Sequence, residues 1–153
     1  MPHNKERKMK IEHEELAELV PQKGKMFLLG RICEANPNEW TIESETKITE
    51  NFMFFDKSAG GVPNYACFEL IAQTVAAMNG LFARENNLEP KIGFILSVSN
   101  LKFDFDLIKA GETVKIKAWR ETDMDNVSSF ASEIYIDRKL GGSGKITAMQ
   151  ADN

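Results

Sequence analysis

Residues 60–85, GGVPNYACFELIAQTVAAMNGLFARE, constrain the fold more than any other part of the chain. From residue 65 to residue 83 apolar side chains occupy nearly every helical face, interrupted by Glu69, Gln73, Thr74, Asn79 and Gly80. A helix that is apolar all round has to be covered on all sides. Polar residues at its centre and turn residues close to both ends argue against a bilayer span. Glu69 and Gln73 are four apart and so stack on one face. An ionised carboxylate is costly to bury without partners, so a glutamate here is paired or functional. That carboxylate is the chief chemical clue in the chain.

The flanking segments supply the cover. Residues 11–20 place Ile11, Leu16, Leu19 and Val20 near one face of a short amphipathic helix, ended by Pro21 and Gly24. Residues 25–33 read as a largely buried strand, closed by a turn at Asn36, Pro37 and Asn38. Residues 40–49 alternate, with Trp40, Ile42 and Ile48 opposite Glu43, Glu45 and Lys47, the pattern of a half-buried antiparallel strand. A loop runs over 50–62, and Pro63 suits a first helical turn, where its missing N–H does no harm. Asn86 and Asn87 mark the helix exit and Pro90 the restart. Downstream the chain reads as strand. An apolar run over 92–98 continues with period two through Leu101, Phe103 and Phe105. The Ala110-Gly111 turn leads into Val114, Ile116 and Ala118, facing away from Lys115 and Lys117. Residues 123–126 form a hairpin turn before Phe130, Ile134 and Ile136, and Gly141, Gly142 and Gly144 turn the chain into a last strand over 145–150.

Two strands, one long apolar helix and an antiparallel meander make an α+β domain. Only a sheet that curls round such a helix can cover it, and Ala66, Ala72, Ala76, Ala77 and Gly80 let that sheet come close. A second copy of the chain would cover whatever face is left open. The 153 residues fit one domain over 11–153 behind a flexible basic tail over 1–10. That tail lacks the apolar run of a signal peptide, so a cytoplasmic setting with reduced Cys33 and Cys67 is expected. A net charge of −4 argues against a general nucleic-acid binder. The two cysteines fit neither a disulfide framework nor a zinc site, and no phosphate-cradling glycine motif is present.

Val62-Pro63 followed by Phe68-Glu69-Leu70-Ile71-Ala72-Gln73 resembles the helix-start signature of the 3-hydroxyacyl-[acyl-carrier-protein] dehydratases, proteins of the hotdog fold. Leu19-Val20-Pro21-Gln22-Lys23 with Met26-Phe27-Leu28-Leu29 and Arg31-Ile32 is similar to their junction between N-terminal helix and strand, and Ala110-Gly111-Glu112 to one of their turns. The resemblance implies a curled sheet around one central helix, with subunits side by side as a homodimer or higher oligomer. It also implies an acid/base pair, a helix carboxylate and a loop histidine usually donated by different subunits. Glu69 falls on the carboxylate and Gln73 on a glutamine beside it. The histidine has no counterpart: His3 and His13 lie far upstream, and the loop offers Asn51, Phe52, Phe55, Asp56 and Lys57. The family's glycine after the helix proline is Asn64 here.

Three functions are compatible with this pattern. The first is dehydration of 3-hydroxyacyl thioesters of acyl-carrier protein or coenzyme A, in fatty-acid or polyketide-like biosynthesis. Glu69 handles the proton there, and backbone N–H groups around Gly61 and Asn64 hold the thioester carbonyl. No cofactor is needed beyond the phosphopantetheine arm carried by the substrate. The second is thioester hydrolysis with Asp56 and Glu69 activating water, although Asp56 also suits an ordinary loop turn. The third is a non-catalytic acyl-thioester-binding subunit, motivated by the absent histidine. Cys67, between Ala66 and Phe68, reads as a small core residue rather than a nucleophile, and His13 as part of a solvated helix start. Lys23, Lys25, Arg31, Lys102 and Lys109 are candidates to meet an acidic carrier, and equally at home on an ordinary surface.

Overall fold

The computed structural model describes residues 8–89 and 91–151, at 92 and 94 the backbone alone. Within them the elements run β1 (Met9–Ile11), α1 (His13–Leu16), β2 (Arg31–Asn36), β3 (Thr41–Lys47), β4 (Val62–Pro63), α2 (Cys67–Glu85), β5 (Ile92–Phe103), β6 (Leu107–Ile108), β7 (Thr113–Met124), β8 (Val127–Ile136) and β9 (Lys139–Ala151). Seven strands form one antiparallel sheet in the order β1-β2-β3-β7-β8-β9-β5, while β4 and β6 pair as a small separate ribbon. This is the expected α+β architecture, a long antiparallel sheet packed on one central helix.

The alternation of β3 is what seats the helix. Ile42, Ser44 and Thr46 are buried and lie opposite Ala118, Ile116 and Val114 of β7. Leu70, Ile71, Val75, Met78 and Leu81 of α2 pack into the same core. Each such side chain contributes roughly 1.5–3 kcal/mol through burial. One polar link crosses the layers: the Ser44 hydroxyl meets the Thr74 hydroxyl at 2.8 Å, and Thr74 donates to its own helix at the Leu70 carbonyl, 2.7 Å away. Asn64–Ala66 form a 3-10 turn ahead of α2, so Pro63 ends a strand just before the helix rather than opening its first turn. The cover is incomplete. Phe68, Glu69, Ala72, Ala76, Asn79 and Gly80 keep partial exposure, so one face of the helix remains open.

Several segment readings need correction. The strand expected over 25–33 begins only at Arg31, because Gly24–Met26 close a 3-10 turn and the Leu28 N–H then bonds to the helix instead of a neighbouring strand. The helix expected over 11–20 is shorter: Ile11 belongs to β1, and α1 ends at Leu16. Met9 and Lys10, read as tail, pair with β2 through the Met9–Ala35 register, while residues 1–7 of that tail lie outside the described residues. Pro90, expected to restart the chain, lies outside them too. Gly141, Gly142 and Gly144 sit inside β9 and do not turn the chain. The turn is made by Asp137 and Arg138 at positive φ, 47° and 74°. At residue 142 a Cβ would come within 2.6 Å of the Lys102 carbonyl, so the glycine there serves close strand packing.

Candidate active site

The open helix face carries Glu69, half-buried, one turn ahead of Gln73. Gln73 is fully buried, and both hydrogens of its amide and its oxygen are engaged. Its Nε2 donates to Glu69 Oε2 at 2.9 Å and to the Met26 carbonyl at 2.7 Å, and its Oε1 accepts from the Leu28 N–H at 2.9 Å. One side chain therefore holds the carboxylate and stitches the 26–28 segment to the helix. The structure thus brings Glu69 and Gln73 together, as their spacing predicts. The recruitment of two backbone groups from 45 and 47 residues away had no signal in the sequence.

The loop residues are arranged differently. Asp56 is exposed and closes an Asx-type turn, its Oδ1 accepting from the Ser58 hydroxyl at 2.7 Å, the Ser58 N–H at 2.9 Å and the Ala59 N–H at 3.2 Å. The Ser58 hydroxyl bond, followed by the backbone bond from Ala59, holds this carboxyl below its ordinary range. Gly61 N–H donates to the Asp56 carbonyl at 3.2 Å, and Asn64 N–H to the Asp106 carbonyl at 3.0 Å. Both N–H groups picked out as carbonyl donors are therefore engaged within the chain. The Asn64 side chain is engaged as well, its Nδ2 donating to the Phe105 carbonyl at 2.9 Å.

Cys67 is fully buried, and burial pushes its thiol up to about 12, the state of an inert core thiol. Burial likewise raises Cys33, whose Sγ contacts the Glu43 carbonyl at 3.3 Å. His13 stacks on Phe27 with ring centroids 4.8 Å apart, and its Nδ1 lies 3.0 Å from the Leu29 carbonyl. Such a bond requires that nitrogen to carry the proton, so the ring fastens α1 to the 27–30 segment. His3 lies outside the described residues. Lys23 Nζ caps the Ala17 and Val20 carbonyls, and Arg31 is ion-paired to Glu45 at 2.8 Å, so neither is an idle surface charge. Among the described residues no group of His, Cys, Asp and Glu could hold a metal ion.

Sequence inspection did not foresee a groove of about 510 Å³ on the same helix face, between the 18–23 segment, α2 and the ends of β5 and β9. Ala72, one turn beyond Glu69, and then Val75, Ala76, Asn79 and Gly80 form its helical wall. The small residues that mark this wall were legible, but were assigned to close packing by the sheet. Ala72 and Ala76 do pack against the core but keep partial exposure, and at Gly80 the packing element is the 18–23 segment rather than the sheet: a Cβ there would lie 2.3 Å from the Leu19 carbonyl.

Comparison with known proteins fits this geometry. Residues 14–153 match the family model of ApeP-like proteins, described as ApeP dehydratase. The 3-hydroxyacyl-[acyl-carrier-protein] dehydratase FabZ of Rickettsia bellii is 26% identical over 149 residues, covering 94% of this chain and 99% of that protein. Among solved structures, the dehydratase heterocomplex ApeI:P from Xenorhabdus doucetiae superposes with a TM-score of 0.81 at 16% identity, over 90% of this chain and 91% of that one. A hypothetical thioesterase with coenzyme A from Streptococcus pneumoniae matches at 0.59 and 12% identity, over 75% of this chain and 81% of that one. At such identities the structural matches speak for the shared hotdog fold alone. The family match extends over nearly the whole described chain and includes the helix that carries Glu69 and Gln73, and on that ground the chain belongs to the ApeP-like dehydratase family.

Proposed function

We propose that the chain acts in the dehydration of 3-hydroxyacyl thioesters carried by acyl-carrier protein or coenzyme A, with Glu69 as the group that moves the proton. The observation that carries this reading is the Glu69–Gln73 pair: a half-buried carboxylate held by a buried amide at 2.9 Å on an open helix face. Dehydration removes an α-proton and protonates the departing hydroxyl, so Glu69 handles one of these transfers and a second group the other. Gln73 acts as a positioning residue. It fixes the carboxylate through one N–H while its remaining bonds tie down the 26–28 segment.

A partner group completes the site. His13 is occupied by the Leu29 carbonyl, and the loop from 50 to 62 contributes no imidazole. The second proton-handling group therefore comes from another chain, paired along β5, the edge strand of the sheet opposite β1, where Ile95, Leu96 and Leu101 are exposed. A related dehydratase being a heterocomplex supports a different chain as that partner, since a second copy would bring the same loop without an imidazole. For Gly61 or Asn64 to hold a thioester carbonyl, each would have to exchange its bond to Asp56 or Asp106. The hydrolase reading has less support, since Asp56 serves its own turn.

The test is interconversion of a 3-hydroxyacyl thioester and its enoyl form, followed by enoyl-thioester absorbance, with the chain in its native assembly. Glu69→Gln is expected to abolish turnover while leaving the fold and assembly intact. Undiminished turnover in that variant removes the mechanism.

A further inference from the structure

The open face of α2 begins one turn ahead of the helix itself. From residue 65 to residue 80 the positions that keep exposure are 65, 68, 69, 72, 76, 79 and 80, and every residue between them is buried. Steps of three and four mark one stripe along a helix. Its first member, Tyr65, stands in the 3-10 turn Asn64–Ala66 and is 68% exposed, while Ala66 and Cys67 beside it are buried. The turn therefore directs the phenol ring to the side on which Glu69 stands, four residues on. Hydrogen bonds at this end of the helix occupy the side chains of Asn64, Glu69 and Gln73. The Tyr65 hydroxyl makes none among the described residues, which leaves it the free side-chain donor nearest Glu69 on the stripe.

We infer that this hydroxyl holds the thioester carbonyl during dehydration, as the hydrogen-bond donor that the backbone does not supply. The inference rests on the dehydratase reading above. Loss of the α-proton, to Glu69 or to the partner's group, moves the C–H electron pair towards the thioester oxygen. That oxygen becomes enolate-like. As the pair returns, the double bond forms between the α- and β-carbons and the hydroxyl leaves, protonated to water. The carbonyl is bonded to the α-carbon, so its oxygen lies beside the carbons that Glu69 serves. Side chains four apart have Cβ atoms about 5–6 Å apart, so a phenol and a carboxylate here can touch neighbouring atoms of one substrate. Gly61 and Asn64, the backbone candidates for this task, already donate to the Asp56 and Asp106 carbonyls. A phenol O–H donates without giving up its proton, and a donor in place before the reaction stabilises the charge that develops on the oxygen.

The experiment measures turnover of a 3-hydroxybutyryl pantetheine thioester by the full chain in its native assembly, by Tyr65→Phe and by Glu69→Gln. Tyr65→Phe removes one oxygen atom from an exposed side chain, so fold and assembly are kept. Its kcat is expected to fall about hundredfold, the loss that follows removal of one oxyanion donor. KM should change by less than about threefold, because the bond strengthens only as charge develops. An unchanged kcat, or a raised KM at full kcat, overturns the inference and leaves the dehydratase reading standing. No turnover by the parent assembly, or full turnover by Glu69→Gln, removes the dehydratase reading itself and the inference with it.

Discussion

Gln73 shows how a single buried amide couples chemistry to folding. Removing it orphans the Leu28 N–H and the Met26 carbonyl and releases the Glu69 carboxylate. Gln73→Leu is therefore expected to lower stability by about 1–3 kcal/mol, the cost of buried groups left unpaired, measured by urea denaturation. In the same variant kcat should fall by more than KM rises, because a positioning residue acts on the reacting geometry. An unchanged kcat in a folded variant would leave Gln73 a purely structural residue. Cys67 offers a second residue-scale test. Its thiol is raised from the usual 9.0 to about 12 by burial. Below pH 9 both folded and unfolded chains keep the proton, and stability is unaffected. Between pH 9 and about 12 only the unfolded chain ionises, so stability falls by about 1.4 kcal/mol per pH unit. Cys67→Ala should flatten that part of the curve, and a slope identical to the parent's would contradict the assignment.

At the scale of elements, the contact between α2 and the 18–23 segment turns on Gly80. Alanine is normally better than glycine inside a helix by about 1 kcal/mol. Here the added methyl group would meet the Leu19 carbonyl at 2.3 Å, a backbone atom that cannot swing aside. Overpacking of this kind costs about 1–3 kcal/mol, so the clash outweighs the propensity gain. Gly80→Ala is expected to lower the melting temperature and to widen the groove, whereas a rise would mean the segment yields freely. The aromatic cluster at the same end of the helix is better buffered. Trp40 lies 4.6 Å from Phe82 between ring centroids and carries the Arg120 guanidinium 3.9 Å above its ring. The buried hydroxyl pair of Ser44 and Thr74 gives sheet and helix a directional contact that apolar packing alone lacks.

For the whole molecule, the unpaired edge of β5 and the open face of α2 are the features that a single chain leaves unfinished. A long apolar edge strand invites pairing with another sheet. Leu96→Lys, placing a charge on that edge, is expected to shift the assembly towards monomer in light scattering coupled to gel filtration. It should also depress dehydration, because the group opposite Glu69 leaves with the partner. A monomeric variant with full turnover would show that the site needs no second chain.

The sequence by itself determined the architecture. An apolar helix with no polar face has to be wrapped, and period-two alternation in β3 and β7 dictates which side chains do the wrapping. It determined the Glu69–Gln73 pairing as well, since helical geometry alone places residues four apart together. Tertiary structure alone decided the rest. Whether residues 26–28 joined a sheet or the helix depended on a glutamine more than forty residues away. Whether Gly61 and Asn64 could offer free N–H groups depended on where the Asp56 and Asp106 carbonyls came to lie. The glycines of β9 look like a turn until β5 is laid against them. The groove is a property of three segments that meet only in the folded chain, and no local pattern announces it. Periodicity and propensity are local and can be read along the chain, whereas the partner of each backbone donor and the empty space between elements are set by contacts distant in sequence.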